Sequence, residues 1–217
     1  MILLLFGSPG SGKGTQARLL SEHLGLRVVS TGELLRVAAA RDTPLGRELQ
    51  LILATGKYVG DQTVNEIVNA QLDGLNGAGM ILDGYPRTVE QASFLDTALA
   101  GRGCPPPTAV HLEVPKQVLV KRLTSRAQCP VCQRIYESAE GVCGNCRVSL
   151  TRRDDDDPEV VLSRLETYLA KTAPVIQHYS RGTLVQVDGN QPPDRVFEQI
   201  FSAISPDGVQ SPTHGNP

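Results

Sequence analysis

The apolar run Ile2–Phe6 is followed by Gly-Ser-Pro-Gly-Ser-Gly-Lys-Gly-Thr at residues 7–15, and then by apolar positions at helical spacing over Thr15–Leu24. An unbroken short apolar run reads as a strand buried on both faces. Four further short runs have the same character: Val28-Val29, Met80–Leu82, Ala109–Val114 and Leu184–Val187. Helical spacing predicts helices over Leu45–Thr55 (with Gly56 as C-cap), Val64–Leu72, Val89–Ala100, Lys116–Arg126, Glu159–Ala173 and Arg195–Ile204. Strands alternating with helices predict an α/β fold, a five-stranded parallel sheet with helices on both faces. In such sheets ligands bind at the carboxyl ends of the strands, where residues 7–15 lie.

Residues 127–152 depart from this rhythm. They carry turn residues and four cysteines with little helical period, which predicts a small inserted subdomain. The Pro-, Gly-, Ser- and Asn-rich tail from Pro206 to Pro217 is expected to be disordered. No internal repeat is visible.

Composition narrows the picture. A chain of 217 residues with 40% hydrophobic content suits one core domain with a modest insert. A net charge of −2 and a pI near 6.1 give no global basic field, which argues against a nucleic-acid partner. No apolar stretch approaches the ~20 residues that span a bilayer. The N-terminus lacks a basic region and a small-residue cleavage site, so no signal peptide is expected. Five cysteines without a secretion signal suit a reducing, cytoplasmic setting.

The physics of residues 7–15 is phosphate binding. Glycines let several backbone N–H groups turn toward one anion, and the following helix adds the positive end of its dipole. Lys13 supplies a mobile charge for the outer phosphates. The spacing Gly7…Gly12-Lys13 fits a Walker A loop, although Gly14 stands where Ser or Thr is usual and Thr15 follows one position later.

Cys129-Pro-Val-Cys132 and Cys143-Gly-Asn-Cys146 are two C-x2-C knuckles separated by ten residues. Four thiolates so spaced suit a tetrahedral, structural Zn²⁺ with no open position for water. A thiol–disulfide switch or unliganded cysteines are the alternatives. The intervening residues, including Arg134-Ile135-Tyr136, suit a short hairpin, and Cys104 is assigned no role.

Arg122 and Arg126 are four apart on one predicted helix and share a face. Arg153 and Arg164 flank an acidic turn in which Asp157 reads as an N-cap before Pro158. Arg36 and Arg87 closely follow the second and third strands. Together these guanidinium groups suit phosphate clamping. Asp83, closing the third strand, suits the water shell of Mg²⁺ or a plain strand-end turn. Thr88-Val-Glu-Gln91 also reads as a capping box.

Residues 7–16, Ser30-Thr-Gly-Glu-Leu-Leu-Arg36, Leu82-Asp-Gly-Tyr-Pro-Arg-Thr88, and Arg153-Asp-Asp-Asp with Arg164 resemble the adenylate kinases, in order from residue 1 to about residue 204. The family's Gly-Thr after the lysine accounts for Gly14. The resemblance implies phosphoryl transfer from MgATP to AMP giving two ADP, by a monomer without nucleic-acid or membrane partners. It implies a core (1–29, 60–124, 158–205), a monophosphate-binding region (30–59), a zinc-bearing lid (125–157) and the tail (206–217).

The implied ATP contacts are Gly10, Ser11, Gly12, Lys13, Gly14 and Thr15, with Arg122 and Arg126 at the lid hinge and Ile135, Tyr136 and Asn190 at the base or ribose. The implied AMP contacts are Thr31, Arg36, Lys57, Tyr58, Val59, Gly84, Tyr85, Pro86, Arg87 and Gln91, the last reading the adenine edge. Arg153 and Arg164 bridge both substrates. Lys13, Arg87, Arg122, Arg126, Arg153, Arg164 and Asp83 carry the catalysis, with Cys129, Cys132, Cys143 and Cys146 on zinc. Arg153 is chosen over Arg152 for its spacing to Arg164. The lid is shorter than the family pattern. Two rivals are a kinase for another monophosphate, and a zinc-knuckle nucleic-acid module using Arg126, Arg134, Arg147, Arg152 and Arg153, against which Asp154–Asp157 stands.

Overall fold

A computed structural model describes residues 1–75, 78–136, 141–180 and 184–205. The expectation for the tail 206–217 lies outside the described residues.

Five parallel strands form the sheet: β1 (Ile2–Gly7), β2 (Arg27–Ser30), β3 (Met80–Asp83), β4 (Thr108–Glu113) and, as the fifth, β7 (Leu184–Asp188), in the order β2-β3-β1-β4-β7. The central strand β1 explains its own sequence. With a side-chain period of two, Ile2, Leu4 and Phe6 enter one core while Leu3 and Leu5 enter the other. Both faces are covered, so every position must be apolar. Leu3 and Leu4 are fully buried, and truncating either to Ala would cost about 2–5 kcal/mol.

Helices α1 (Lys13–Leu24), α2 (Thr31–Ala39), α3 (Pro44–Ala54), α4 (Asp61–Leu72), α5 (Val89–Ala100) and α6 (Lys116–Ser125) precede the insert. Helices α7 (Pro158–Lys171), α8 (Ala173–Tyr179) and α9 (Pro193–Ile204) follow it. Side chains of α1 and α9 pack with Leu3 and Leu5, and those of α4, α5 and α8 pack with Ile2, Leu4 and Phe6. A small separate cluster of Leu119, Leu123, Val161 and Leu165 joins α6 to α7 at the foot of the insert.

The structure corrects the sequence reading in four places. Helix α2 starts directly after β2, where the motif at residues 30–36 predicted none. The helix expected over Glu159–Ala173 is α7, which ends at Lys171, but a second helix, α8, follows it unpredicted; the two are separate because Pro174 has no N–H to continue α7 and its ring crowds the carbonyl four residues back. Helix α6 stops at Ser125, and Arg126 lies beyond it with extended backbone (φ −64°, ψ 137°), so it does not share a helix face with Arg122. Among the described residues no hairpin lies within the ten inter-knuckle positions. Instead β6 (Ile135–Tyr136) pairs antiparallel with β5 (Ala127–Gln128), and the first cysteine knuckle forms their turn. Thr88, Asp157 and Gly56 cap or close their helices as expected.

Candidate functional site

Loop 7–12 bends through positive φ at Gly7, Gly10 and Gly12 (148°, 82° and 99°). At Gly7 a Cβ would lie 2.4 Å from Ser11 Oγ and 2.9 Å from the Leu112 carbonyl, so no larger residue fits. Gly12 then caps α1, aiming that helix's free N–H groups into the loop. Lys13 Nζ donates to the carbonyls of Gly7 (2.7 Å) and Ser8 (3.0 Å). Burial, helped by the positive charges of Arg87, Arg164 and Arg126 and opposed by Asp83, pushes its pKa down to about 8. The Ser11 hydroxyl is buried with no partner among the described residues.

Strand register brings the acid to the loop. Leu5 of β1 pairs with Asp83 of β3, so the carboxylate emerges beside the turn that follows β1. Asp83 Oδ2 lies 3.7 Å from where a Cβ would stand on Gly14. Gly84 follows at φ 79°, where a Cβ would lie 2.9 Å from Arg87 Nη2 and 3.3 Å from Thr31 Oγ1. The freed space lets Thr31 Oγ1 and Arg87 Nε both donate to the Gly84 carbonyl, at 2.8 and 2.7 Å.

Arg87 and Arg36 converge over Gly32, where a Cβ would lie 3.8 Å from Arg87 Nη2 and 3.4 Å from Arg36 Nη1. Arg87 also lies 5.0 Å above the Tyr58 ring. The Tyr58 hydroxyl bonds the Thr172 hydroxyl (2.9 Å), which donates to the Arg87 carbonyl (3.1 Å). Val59 is buried in the core, and Lys57 is exposed. The peptide Tyr85-Pro86 is cis. Tyr85 is fully buried, with its hydroxyl donating to Asn65 Oδ1 (2.6 Å) and the Gln91 carbonyl (3.2 Å). Gln91 is also buried, and its Oε1 accepts from Arg87 N–H (2.7 Å) rather than from the Thr88 N–H a capping box would use.

The remaining arginines gather at the foot of the insert. Arg126 forms a two-pronged pair with Asp156, Nε–Oδ2 being 2.8 Å, and Arg164 Nη1 reaches Asp156 Oδ1 at 3.3 Å and Asp155 Oδ2 at 3.0 Å. Arg153 Nε donates to Gln128 Oε1. Burial and the facing Arg36 and Arg126 push its pKa down to about 9, still charged at neutral pH. Arg152 is exposed and outside this group. Burial alone would raise Asp155, but Arg164, Arg36, Arg126 and Arg153 together hold it below the usual carboxylate range. Arg122 points elsewhere, donating to the Gly189 carbonyl (3.0 Å), beside exposed Asn190.

In the insert the four cysteine sulfurs lie within 4.8 Å of one another. A tetrahedral Zn²⁺ with bonds of ~2.3 Å needs sulfurs roughly 3.8 Å apart, so the set fits that ion. The two knuckles share one geometry. Gln133 and Arg147 both take positive φ (59° and 58°), and the N–H groups of Cys132 and Cys146 donate to the sulfurs of Cys129 and Cys143 at 3.4 and 3.3 Å. The Tyr136 hydroxyl donates to Cys143 Sγ (3.2 Å), and this bond first, then the Cys146 N–H, lowers that thiol to about 6. Tyr136's polar tip is thus committed to the cysteines, while Ile135 beside it is exposed.

Sequence reasoning missed Asp61, Gln128 and Thr172. Each is a single polar residue whose contact with a predicted site residue (Gln91, Arg153 and Arg87 respectively) spans 25 to 85 positions, so no local pattern marks it.

A parallel sheet whose first strand runs into a glycine loop, a helix N-terminus and a lysine, with an acid closing the adjacent strand, defines a P-loop nucleotide-binding protein. A family model described as adenylate kinase matches residues 5–184. The chain is 41% identical to an adenylate kinase of Chlamydia muridarum, covering 94% of this chain and 87% of that one. It is 41% identical to an adenylate kinase of Thermotoga neapolitana (93% and 96% covered) and 38% identical to one of Chlamydia trachomatis (94% and 90% covered). The chain belongs to the adenylate kinase family and is a phosphotransferase. Among the described residues no helix is long and apolar enough to cross a membrane.

Proposed function

We propose that this chain catalyses MgATP + AMP ⇌ MgADP + ADP. The observation that carries the reading is the glycine loop with Lys13 at a helix N-terminus and Asp83 brought beside it by the strand register, with Arg87, Arg126 and Arg164, from separate elements, near enough for their charges to act on Lys13. So much positive charge facing a helix N-terminus suits two polyphosphates end to end.

The loop residues Gly10–Thr15 would hold the donor phosphates, whose oxygens would compete for the Lys13 N–H groups now on Gly7 and Ser8. Arg122 would reach the donor phosphates from its place beside the Gly189 turn, and Asn190, Ile135 and Tyr136 would border the donor base and ribose. Thr31, Arg36, Lys57–Val59, Gly84–Arg87 and Gln91 would form the acceptor pocket. Arg126, Arg153 and Arg164 would release their carboxylate and amide partners to neutralise the transferring group. Asp83 would hold the water shell of the Mg²⁺ carried in with ATP, and that ion would supply positive charge to the phosphates.

The acceptor is a phosphate oxygen already ionised at neutral pH, so alignment and charge neutralisation supply the catalysis and no general base is required. Closure of the insert (125–157) and of the region 30–59 over the core would exclude water as a competing acceptor. Cys129, Cys132, Cys143 and Cys146 would hold a structural Zn²⁺. We further read the protein as cytoplasmic, since its unbridged cysteines suit a reducing setting, and as a monomer, as the family resemblance implies.

A coupled assay of ADP formation from ATP with AMP, run beside UMP, CMP and GMP and with or without Mg²⁺, tests the reading. Mg²⁺-dependent turnover with AMP is expected, and Lys13→Ala or Arg87→Ala should lower kcat by well over about tenfold without unfolding the protein. Preference for another monophosphate would overturn the acceptor assignment, and near-normal turnover of a variant would remove that residue from the mechanism.

A further inference from the structure

We propose that Asp61 is a positioning residue that fixes the orientation of the Gln91 carboxamide and so selects a 6-amino over a 6-oxo purine in the acceptor pocket. The proposal rests on the reading of Gln91 as the group that meets the acceptor base.

Gln91 is 1% exposed, and both ends of its amide are engaged. Its Oε1 accepts from the Arg87 N–H at 2.7 Å, and its Nε2 donates to Asp61 Oδ1 at 2.8 Å. The other Asp61 oxygen accepts from Thr88 Oγ1 at 2.8 Å, and the same Thr88 oxygen accepts from the Gln91 N–H at 3.1 Å. The ring of contacts has a fixed sense. A backbone N–H only donates and a carboxylate only accepts, so both partners demand the same amide orientation. A flipped Gln91 would set N–H against N–H and oxygen against oxygen.

Each end of the locked amide has capacity for one more bond, an Nε2–H donor and an Oε1 lone pair. Adenine offers the matching edge, an N1 acceptor and an N6–H donor. Hypoxanthine offers the inverse, an N1–H donor and an O6 acceptor. With the base oriented by its own phosphate on Arg36 and Arg87, hypoxanthine could be satisfied only by a turned amide. The Arg87 N–H comes from the backbone and is present in any variant. Asp61 is the side-chain half of the lock, and it starts α4, an element that supplies no phosphate contact in the reading above.

The test is kcat/KM for AMP and for inosine 5′-monophosphate, with ATP as donor, in the unmodified protein and in Asp61→Ala, Asp61→Asn and Gln91→Ala. Losing a hydrogen bond to a charged group should lower the AMP:IMP ratio of Asp61→Ala by about tenfold or more, chiefly through KM for AMP. Asp61→Asn keeps one acceptor oxygen for Nε2 and should recover most of the ratio. A merely structural Asp61 would depress both substrates equally. A ratio within about twofold of normal in Asp61→Ala, with a collapsed ratio in Gln91→Ala, therefore overturns the proposal alone. An unchanged ratio in Gln91→Ala overturns the base-reading assignment and the proposal with it. Should Asp61→Ala fail to fold, Thr88→Val, which frees the second Asp61 oxygen, must lower the ratio in the same direction, and an unchanged ratio there is equally fatal.

Discussion

Asp156 is the carboxylate on which the foot of the insert closes, and Asp156→Ala exposes what that closure is worth. Its side chain is 2% exposed, and it faces Arg126 and Arg164, whose side chains are 12% and 17% exposed. Removing one partner of a buried ion pair leaves uncompensated charge and costs about 3–5 kcal/mol. Arg164 can fall back on Asp155, through its carboxylate (3.0 Å) and its carbonyl (2.8 Å). Arg126 has no second carboxylate among the described residues, so the lower end, about 3 kcal/mol, is the reasoned figure. For a domain of this size that is a fall in melting temperature of roughly 6–12 °C, measured by calorimetry without nucleotide. A second arm separates electrostatics from packing. Nucleotide phosphates must displace Asp156 from Arg126 in the unmodified protein but meet no rival in the variant. Saturating ADP should therefore raise the melting temperature of Asp156→Ala by more than it raises that of the unmodified protein. A fall under about 2 °C, or equal ADP-induced rises, would refute the reasoning.

Three further outcomes follow from the site. Lys13, lowered to about 8, lacks about a tenth of its proton at pH 7 and about half at pH 8. Phosphates that restore its charge should thus draw about half a proton from buffer at pH 8, affinity falling as pH rises above that point, and calorimetry in two buffers of different ionisation enthalpy will miss this uptake if the assignment is wrong. Stripping metal from the four cysteines should lower the melting temperature by about 5 °C or more while costing less than about twofold in turnover at 25 °C, and Tyr136→Phe should weaken metal retention by about tenfold; an unchanged melting curve would rule out a structural ion. Gly7→Ala should destabilise by about 1–3 kcal/mol, and by more than Gly12→Ala, where a Cβ meets nothing within 4 Å, as denaturant melts will register.

The parts of this protein that sequence reveals are those written in short range. Leu3, Leu4 and Leu5 read as a buried strand because both faces are covered, and the glycine loop reads as a phosphate cradle because its spacing is fixed by one turn and one helix. The cysteine knuckles are equally local. What escaped depends on distant partners. Helix α2 begins with Thr31-Gly32, residues of modest helix propensity, and is held by buried Thr31 and Leu35 rather than by its own composition. The partner of Ile135–Tyr136 is a two-residue strand with no pattern of its own. Arg126 left its helix to reach Asp156, thirty residues on, a pairing no heptad or turn rule encodes.

Helix α7 carries a consequence of its own. It holds Arg164 among the carboxylates at the foot of the insert, and immediately past its last residue Thr172 braces the carbonyl of Arg87. At ~1.5 Å and ~100° per residue, the eight steps from Arg164 to Thr172 form a stiff spacer of roughly 12 Å between the carboxylates at the foot of the insert and the backbone of Arg87. The helix is thus a ruler between the two arginines. One residue inserted between these positions would change no side chain at either end, yet would turn Arg164 about a quarter turn relative to the end that braces Arg87.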